Sequence, residues 1–346
     1  MFPPVSPLEQ QHAMVMGDEI DIRTGSAFSG LLTYANLPYV HCLAPEWQEV
    51  EKYDIAILGA PFDTGTTGRP GPRFGPSGIR RGSRRIVPEA AWNVETGRNV
   101  FLDWAKIVDC GDAPLTFLDN TAALKQLDMA HNIVSGRPTN SSKYDVPRII
   151  TLGGDHTTTL SALQSVHKRW GRVSVIHFDS HIDTWNPKVL GKICKDLCPI
   201  SGVNHGTFLH IAHEEGLISN TSIHAGIRAP VNRPKKDMQN DRRCGFDTIS
   251  ARDIDRIGVH RIIERLNVDI DVLDPAFAPG TGTAEVGGWT SREFLSIIDG
   301  LSGLHIVGAD VVEVAPIYDN PGETTVLVAA EIVQSLIGLM VHPEAS

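Results

Sequence analysis

Short apolar runs recur along the chain, and most are continuous rather than alternating with polar residues. They cover residues 54–59, 107–111, 148–153, 173–178, 222–226, 268–273 and 304–307. Unbroken runs of this length are the mark of strands buried on both faces of a parallel sheet. Stretches with helical spacing lie between several of them, at 121–133, 157–170, 254–266 and 291–301. This alternation predicts an α/β fold: a single three-layer domain whose mostly parallel central sheet is flanked by helices. The most apolar stretch, 326–341, carries Glu331 and Gln334 and keeps helical spacing. It predicts a buried helix, since a membrane span needs ~20 predominantly apolar residues. Residues 1–45 show neither pattern and predict an irregular, partly ordered lead-in to a domain over 46–346.

In open parallel sheets, ligands bind at the carboxyl ends of the strands, and the polar residues of this sequence gather there. Gly153-Gly154-Asp155-His156 follows one run and Asp179-Ser180-His181-Ile182-Asp183 the next. Asp269-Ile270-Asp271 lies within a third, and Asp310 to Glu313 follow a fourth. Residues two apart on a strand end point the same way. Asp179, His181 and Asp183 therefore face one spot, and Asp269 and Asp271 repeat the geometry. With His156 this makes four carboxylates and two imidazoles. One divalent ion does not need four carboxylates. Two ions about 3.5 Å apart do, because shared carboxylates hold them and neutralise their charge. Oxygen and imidazole donors without thiolate suit Mn²⁺, with Zn²⁺, Fe²⁺ and Co²⁺ as alternatives. A water bridging two such ions becomes hydroxide near neutral pH. The chemistry implied is hydrolysis at an sp² carbon or at phosphorus. Singly, a D-x-D or a His after Gly-Gly-Asp is usually an ordinary loop feature. Three such elements at strand ends point to bound cations, because buried carboxylates without them are costly.

Composition narrows the partners. The 346 residues carry a net charge of −10, and no basic run exceeds Arg80-Arg81 or Lys235-Lys236, so nucleic acid is not expected as a partner. The five scattered cysteines, Cys42, Cys110, Cys194, Cys198 and Cys244, predict free thiols in a reducing compartment rather than a disulfide framework. Cys194 and Cys198 lack the further partners of a zinc site. The N-terminal MFPPVSPLEQQHAM has no basic region followed by an apolar one. A cytoplasmic protein without a membrane partner is expected.

The three strand-end motifs together resemble the signatures of the ureohydrolases, the arginase and agmatinase family. They are Gly153-Gly154-Asp155-His156, Asp179-Ser180-His181-Ile182-Asp183-Thr184 and Asp269-Ile270-Asp271-Val272-Leu273-Asp274-Pro275. The stretch Asp274-Pro275-Ala276-Phe277-Ala278-Pro279-Gly280-Thr281-Gly282-Thr283 looks especially agmatinase-like. The resemblance runs from about Asp54 to the C-terminus and takes in Pro61-Phe62-Asp63 and the Gly/Pro/Arg-rich loop 69–80. It implies an arginase-like fold, a catalytic domain over 46–346, and two manganese ions. By this resemblance His156 and Asp183 bind one ion, His181 and Asp271 the other, and Asp179 and Asp269 bridge them. Asn204-His205-Gly206-Thr207 matches the family's His-Gly segment, which makes His205 the expected proton shuttle to the departing amine. Glu313 matches the family's guanidinium-binding carboxylate, whose planar pairing would orient the substrate carbon. His205, Asp183 and Glu313 are then the expected catalytic groups, with His205 and Glu313 also contacting substrate. The implied reaction is hydrolysis of a guanidino compound to an amine and urea by a metal-bridging hydroxide. Agmatine to putrescine is the first expectation; guanidinobutyrate and arginine are alternatives. A homotrimer or homohexamer is implied as well.

Two segments depart from the family pattern. The helical stretch 258–266 runs straight into Asn267-Val268-Asp269, about ten residues short of a normal loop plus half a strand. The segment 192–202 is unlike the Gly-rich loop usual before His205. A shortened strand would loosen Asp269 and Asp271, and errors near ~1 Å matter in such sites. A catalytically weakened family member is therefore the alternative to an active enzyme.

Overall fold

The structure is a computed structural model that describes residues 28–188, 202–263 and 271–342. Two parallel sheets carry the fold. The first has the order β2-β1-β3-β7, with β1 Ile55–Gly59, β2 Ile107–Asp112, β3 Arg148–Leu152 and β7 Gly308–Val311. The second has the order β4-β5-β6, with β4 Ile176–Phe178, β5 Ser222–Ile227 and β6 Phe246–Ser250. Every ladder is parallel. β1 and β3 are buried throughout, as their unbroken apolar runs require.

Alternate residues of β1 face opposite helix layers. Ile55 and Ile57 join a core that includes Val326, Ile332 and Leu336 of α8 (Thr324–Val341). Ala56 and Leu58 join another with Leu127 and Val134 of α2 (Asn120–Ser135). α1 (Gly75–Gly82) and α7 (Ser291–Asp299) pack on α8, and α6 (Asp253–Ile263) packs on α7. On the other side α2 packs on α3 (Thr158–Trp170), and α3 on α4 (Phe208–Glu214). α5 (Pro234–Arg243) lies against β6. The caps explain two helix starts: the Asp119 side chain accepts from Ala122 N, and Thr290 and Glu293 form a reciprocal capping box. α8 is long and apolar enough to cross a membrane, but 61% of it is buried inside the fold. It is the buried helix that its spacing predicts.

Four expectations need adjusting. The strand expected at 304–307 begins at Gly308, where pairing with Ile149 starts. β6 was not foreseen, because only two of its five residues are buried and it forms no continuous apolar run. The expected strand 268–273 falls partly outside the described residues; its remainder, Asp271 to Leu273, forms a single parallel bridge from Leu273 to Trp289. The central sheet is accordingly in two parts among the described residues. A cavity of about 510 Å³ lies where β7 faces the start of β4, lined by Ile149, Thr151, Ile176 and Asp310.

The fourth adjustment concerns the thiols. Cys42 and Cys110 form a disulfide, with Cα atoms 5.4 Å apart. The physical reason is that the lead-in runs along β2. Val40 N donates to Asp109 O at 2.9 Å, and Asp109 N donates to Pro38 O at 3.0 Å, which sets Cys42 beside Cys110. The lead-in is irregular but packed from residue 33 onward; the buried Tyr34 hydroxyl donates to Ala330 O at 2.7 Å. Cys244 is a buried free thiol, and Cys194 and Cys198 lie outside the described residues.

Candidate metal centre

The ends of β3, β4 and β7 converge on one site. The turn after β3 is tight: Gly153 N donates to Val311 O at 2.8 Å. A Cβ on Gly154 would sit 1.8 Å from Phe62 O, so only glycine fits there. That turn delivers His156 just before α3. Its Nδ1 lies 3.1 Å from Asp179 Oδ2 and 3.2 Å from Asp183 Oδ2. Asp179 N donates to Ala225 O at 3.0 Å, carrying the β4–β5 ladder one residue further. His181 Nδ1 stands 3.2 Å from both Asp179 Oδ1 and Asp271 Oδ2. Ser180 N donates to Asp271 Oδ1 at 2.6 Å.

These atoms form two groups that share Asp179. One is His156, His177, Asp179 and Asp183; the other is Asp179, His181 and Asp271; within each, the donor atoms lie within 4.8 Å of one another. Five of the six expected metal residues are thus together. The sixth, Asp269, lies outside the described residues. Two ligand atoms ~2.1 Å from a common ion at right angles stand ~3.0 Å apart. The His156–Asp179–Asp183 separations are close to that edge length.

Glu313 and His205 border the first group. Glu313 Oε1 accepts from His156 N at 2.9 Å and lies 3.2 Å from His205 Nδ1. Glu313 Oε2 is buried with no hydrogen-bond partner among the described residues. Glu313 and Asp183 both have left-handed backbone, φ 59° and 47°. Non-glycine residues are held there at a cost, and such residues cluster at functional sites. His205 Nε2 is 2.8 Å from the Thr67 hydroxyl and 3.1 Å from Thr67 N.

The electrostatics follow from packing acids and imidazoles out of water. Burial raises the Asp271 carboxyl, the Asp179 charge adds to it, and the pKa reaches about 7. Burial, then the Glu313 charge, lifts Asp155 to about 7 as well. Asp183 is raised by burial and by Asp179. Burial would lower His181, but hydrogen bonds to Asp179 and Asp271 outweigh it and push the imidazole up to about 12. Burial likewise opposes the charged form of His205, yet Glu313 draws it up to about 9. Burial holds His177 down at about 3. Carboxylates this crowded are compensated by protons or by cations, and imidazole with carboxylate oxygen is a donor set for divalent ions.

A model of the arginase family matches residues 53–338. The chain belongs to the arginase family. It is 49% identical over 342 residues to the Schizosaccharomyces pombe protein named "Putative agmatinase 1", with 93% of this chain and 85% of that protein covered. It is 33% identical over 312 residues to the guanidinobutyrase of Pseudomonas aeruginosa, covering 87% of this chain and 89% of that one. A solved structure, the proclavaminate amidino hydrolase from Streptomyces clavuligerus, matches with a TM-score of 0.77 at 31% identity, covering 92% of this chain and all of that one. This arginase-family chain is a hydrolase acting on guanidino C–N bonds, built on the arginase-like α/β fold.

Sequence reasoning passed over several residues of this ureohydrolase site. His177 sits inside an apolar run, yet the two-residue spacing of Asp179, His181 and Asp183 extends upstream to it. Arg228 gave no signal. Its guanidinium donates to the carbonyls of Asp271, Val272 and Leu273 at 3.0, 3.2 and 3.1 Å. Thr67, which fixes the His205 ring, lies in a loop with no motif of its own.

Proposed function

We propose that the chain hydrolyses agmatine to putrescine and urea with two Mn²⁺ ions. His156 and Asp183 would hold one ion, His181 and Asp271 the other, with Asp179 and Asp269 shared. The reading is carried by one observation: Asp179 belongs to two ligand groups, beside a buried Glu313 oxygen with no partner among the described residues. Bound divalent ions would supply a water acidified to near neutral pH and Lewis-acid stabilisation of developing charge.

The chain's own residues do the rest. Glu313 Oε2 accepts an N–H of the planar guanidinium, while Oε1 stays on His156 N and His205. This anchors the guanidinium carbon over the ligand groups. A neutral acyl substrate would leave that buried carboxylate without a partner, so guanidino compounds are selected. His205 carries the proton to the departing amine. The nearby carboxylates favour its protonated form, while the Thr67 N–H facing Nε2 favours the bare nitrogen. That opposition suits a group that gains and releases a proton in each turnover.

Urea release from agmatine, 4-guanidinobutyrate and arginine, with Mn²⁺ added, tests the reading. The highest kcat/KM is expected with agmatine, and metal analysis should find close to two Mn per chain. Urea from none of the three would overturn it.

A further inference from the structure

One carboxylate beside the second ligand group has no role above. Glu285 Oε1 lies 4.0 Å from His181 Nε2, too far for a hydrogen bond, and the side chain is 36% exposed. Glu285 belongs to the loop 274–288, whose base is closed by Asp274 N donating to Trp289 O at 2.9 Å. Three further ties fix the course of that loop. Thr281 bridges to Val314, the residue after Glu313. Arg228 Nη2 donates to Glu285 O at 2.7 Å. Gly287 N and Gly288 N donate to Asp274 Oδ2 at 2.6 and 3.2 Å. The loop therefore passes beside Glu313 at Thr281 and reaches His181 at Glu285. Other acids near the site are already engaged: Asp63 by Arg73, Asp155 by Gly65 N and Thr157 N, and Asp274 by its two glycine amides. The Glu285 carboxylate has no hydrogen bond, and no Lys or Arg within 4.0 Å, among the described residues.

We propose that Glu285 binds the terminal ammonium of agmatine and so selects a substrate that is positive at both ends. This inference rests on the agmatine reading above. Agmatine carries a guanidinium and an amine of the lysine kind, both protonated near pH 7. With the guanidinium held by Glu313, the ammonium stands at the far end of a four-carbon chain. An ammonium that leaves water needs an acceptor of opposite charge. Glu285 is a carboxylate at the edge of the same site that has none of its acceptor capacity taken up, and it is exposed enough for a substrate tail to reach. Its backbone is tied by the carbonyl rather than by the side chain, so little ordering is left to be done on binding. The same charge discriminates between substrates. 4-Guanidinobutyrate brings a carboxylate to that end and is repelled. Arginine brings an ammonium and a carboxylate together, so attraction and repulsion offset each other. Pentylguanidine, which has a methyl group in place of the ammonium, gains nothing from Glu285.

Urea release by the full chain with Mn²⁺ added decides it, with agmatine, pentylguanidine and 4-guanidinobutyrate as the probes. The wild type should prefer agmatine to pentylguanidine. In Glu285→Gln the agmatine-to-pentylguanidine ratio of kcat/KM should fall ~10–100-fold, the worth of a hydrogen bond to a charged group, chiefly through the KM for agmatine. Glu285→Lys should turn the preference towards 4-guanidinobutyrate. Support of His181 by Glu285 would instead lower all three substrates alike and reduce the Mn content with them. That outcome, or an unchanged ratio in Glu285→Gln, overturns the proposal and leaves the agmatine reading standing. Glu285→Ala gives the same comparison if Glu285→Gln does not fold. A wild type that releases no urea, or that favours 4-guanidinobutyrate over agmatine, overturns the agmatine reading and this inference with it.

Discussion

The two ligand groups share Asp179 but are positioned by different means. His156 and Asp183 follow β3 and β4, and both strands are paired along their length. Among the described residues, Asp271 to Leu273 form no ladder, and Leu273 makes one bridge to Trp289. That stretch is held by Arg228, with three hydrogen bonds to consecutive carbonyls, by Trp289 N donating to Val272 O at 3.0 Å, and by the fit of Gly226. A Cβ on Gly226 would lie 2.1 Å from the Val272 side chain. The lesson is that a half-buried guanidinium can do much of the work of a neighbouring strand in fixing a ligand. The difference is redundancy. A ladder spreads the task over many bonds, whereas here a large share falls to one guanidinium beside a single bridge.

Substitutions can break this comparison. Asp179→Ala removes the shared carboxylate, so both ions should be lost and urea release should fall at least ~10³-fold. Retention of one tightly bound ion would mean that the halves are independent. Arg228→Met should separate them. Metal analysis should fall from two ions per chain towards one, with activity down ~10²-fold, the penalty for ~1 Å misplacement. Two retained ions would show that Arg228 is not what positions Asp271.

Titration sharpens it further. Ions displace protons from their ligands. In the second group His181, at about 12, and Asp271, at about 7, hold protons that an ion must expel. Its affinity should therefore rise with pH, by up to about tenfold per unit while His181 stays below its pKa. In the first group burial and the Asp179 charge raise Asp183, but His177, at about 3, has no proton to release, so fewer protons are displaced there. Calorimetry between pH 6.5 and 8.5 should find the steeper slope at the site that Arg228→Met empties. Equal slopes would remove the contrast.

The smallest effect on the centre is expected from Cys110→Ser. Opening a link between residues 68 apart should cost ~2–4 kcal/mol of stability, read as a lower denaturant midpoint. Metal content should stay at two. A lost ion would show that the lead-in contributes to the site.

How much of this was legible depends on the range over which the cause acts. His156, Asp179, His181 and Asp183 could be placed because strand ends and two-residue spacing are local properties. Glu313 and His205 needed the family resemblance, since neither sits in a pattern with chemistry of its own. His177 obeyed the spacing rule but lay within an apolar run, and the run hid it. Arg228 and the Cys42–Cys110 bond were not readable, because each depends on a distant segment brought near by folding. β6 escaped because it is half-exposed, so the rule for fully buried strands does not describe it.

The lead-in along β2 has a consequence of a different kind. An uncovered outer strand offers its free amides and carbonyls to any other extended chain, and aggregation begins that way. Here residues 38–40 occupy that margin through Val40 and Asp109, and Cys42 fastens them to the strand they cover. The bond therefore acts as a latch on a guard strip. Reducing agents that leave catalysis intact would still shorten the time this protein stays clear in concentrated solution.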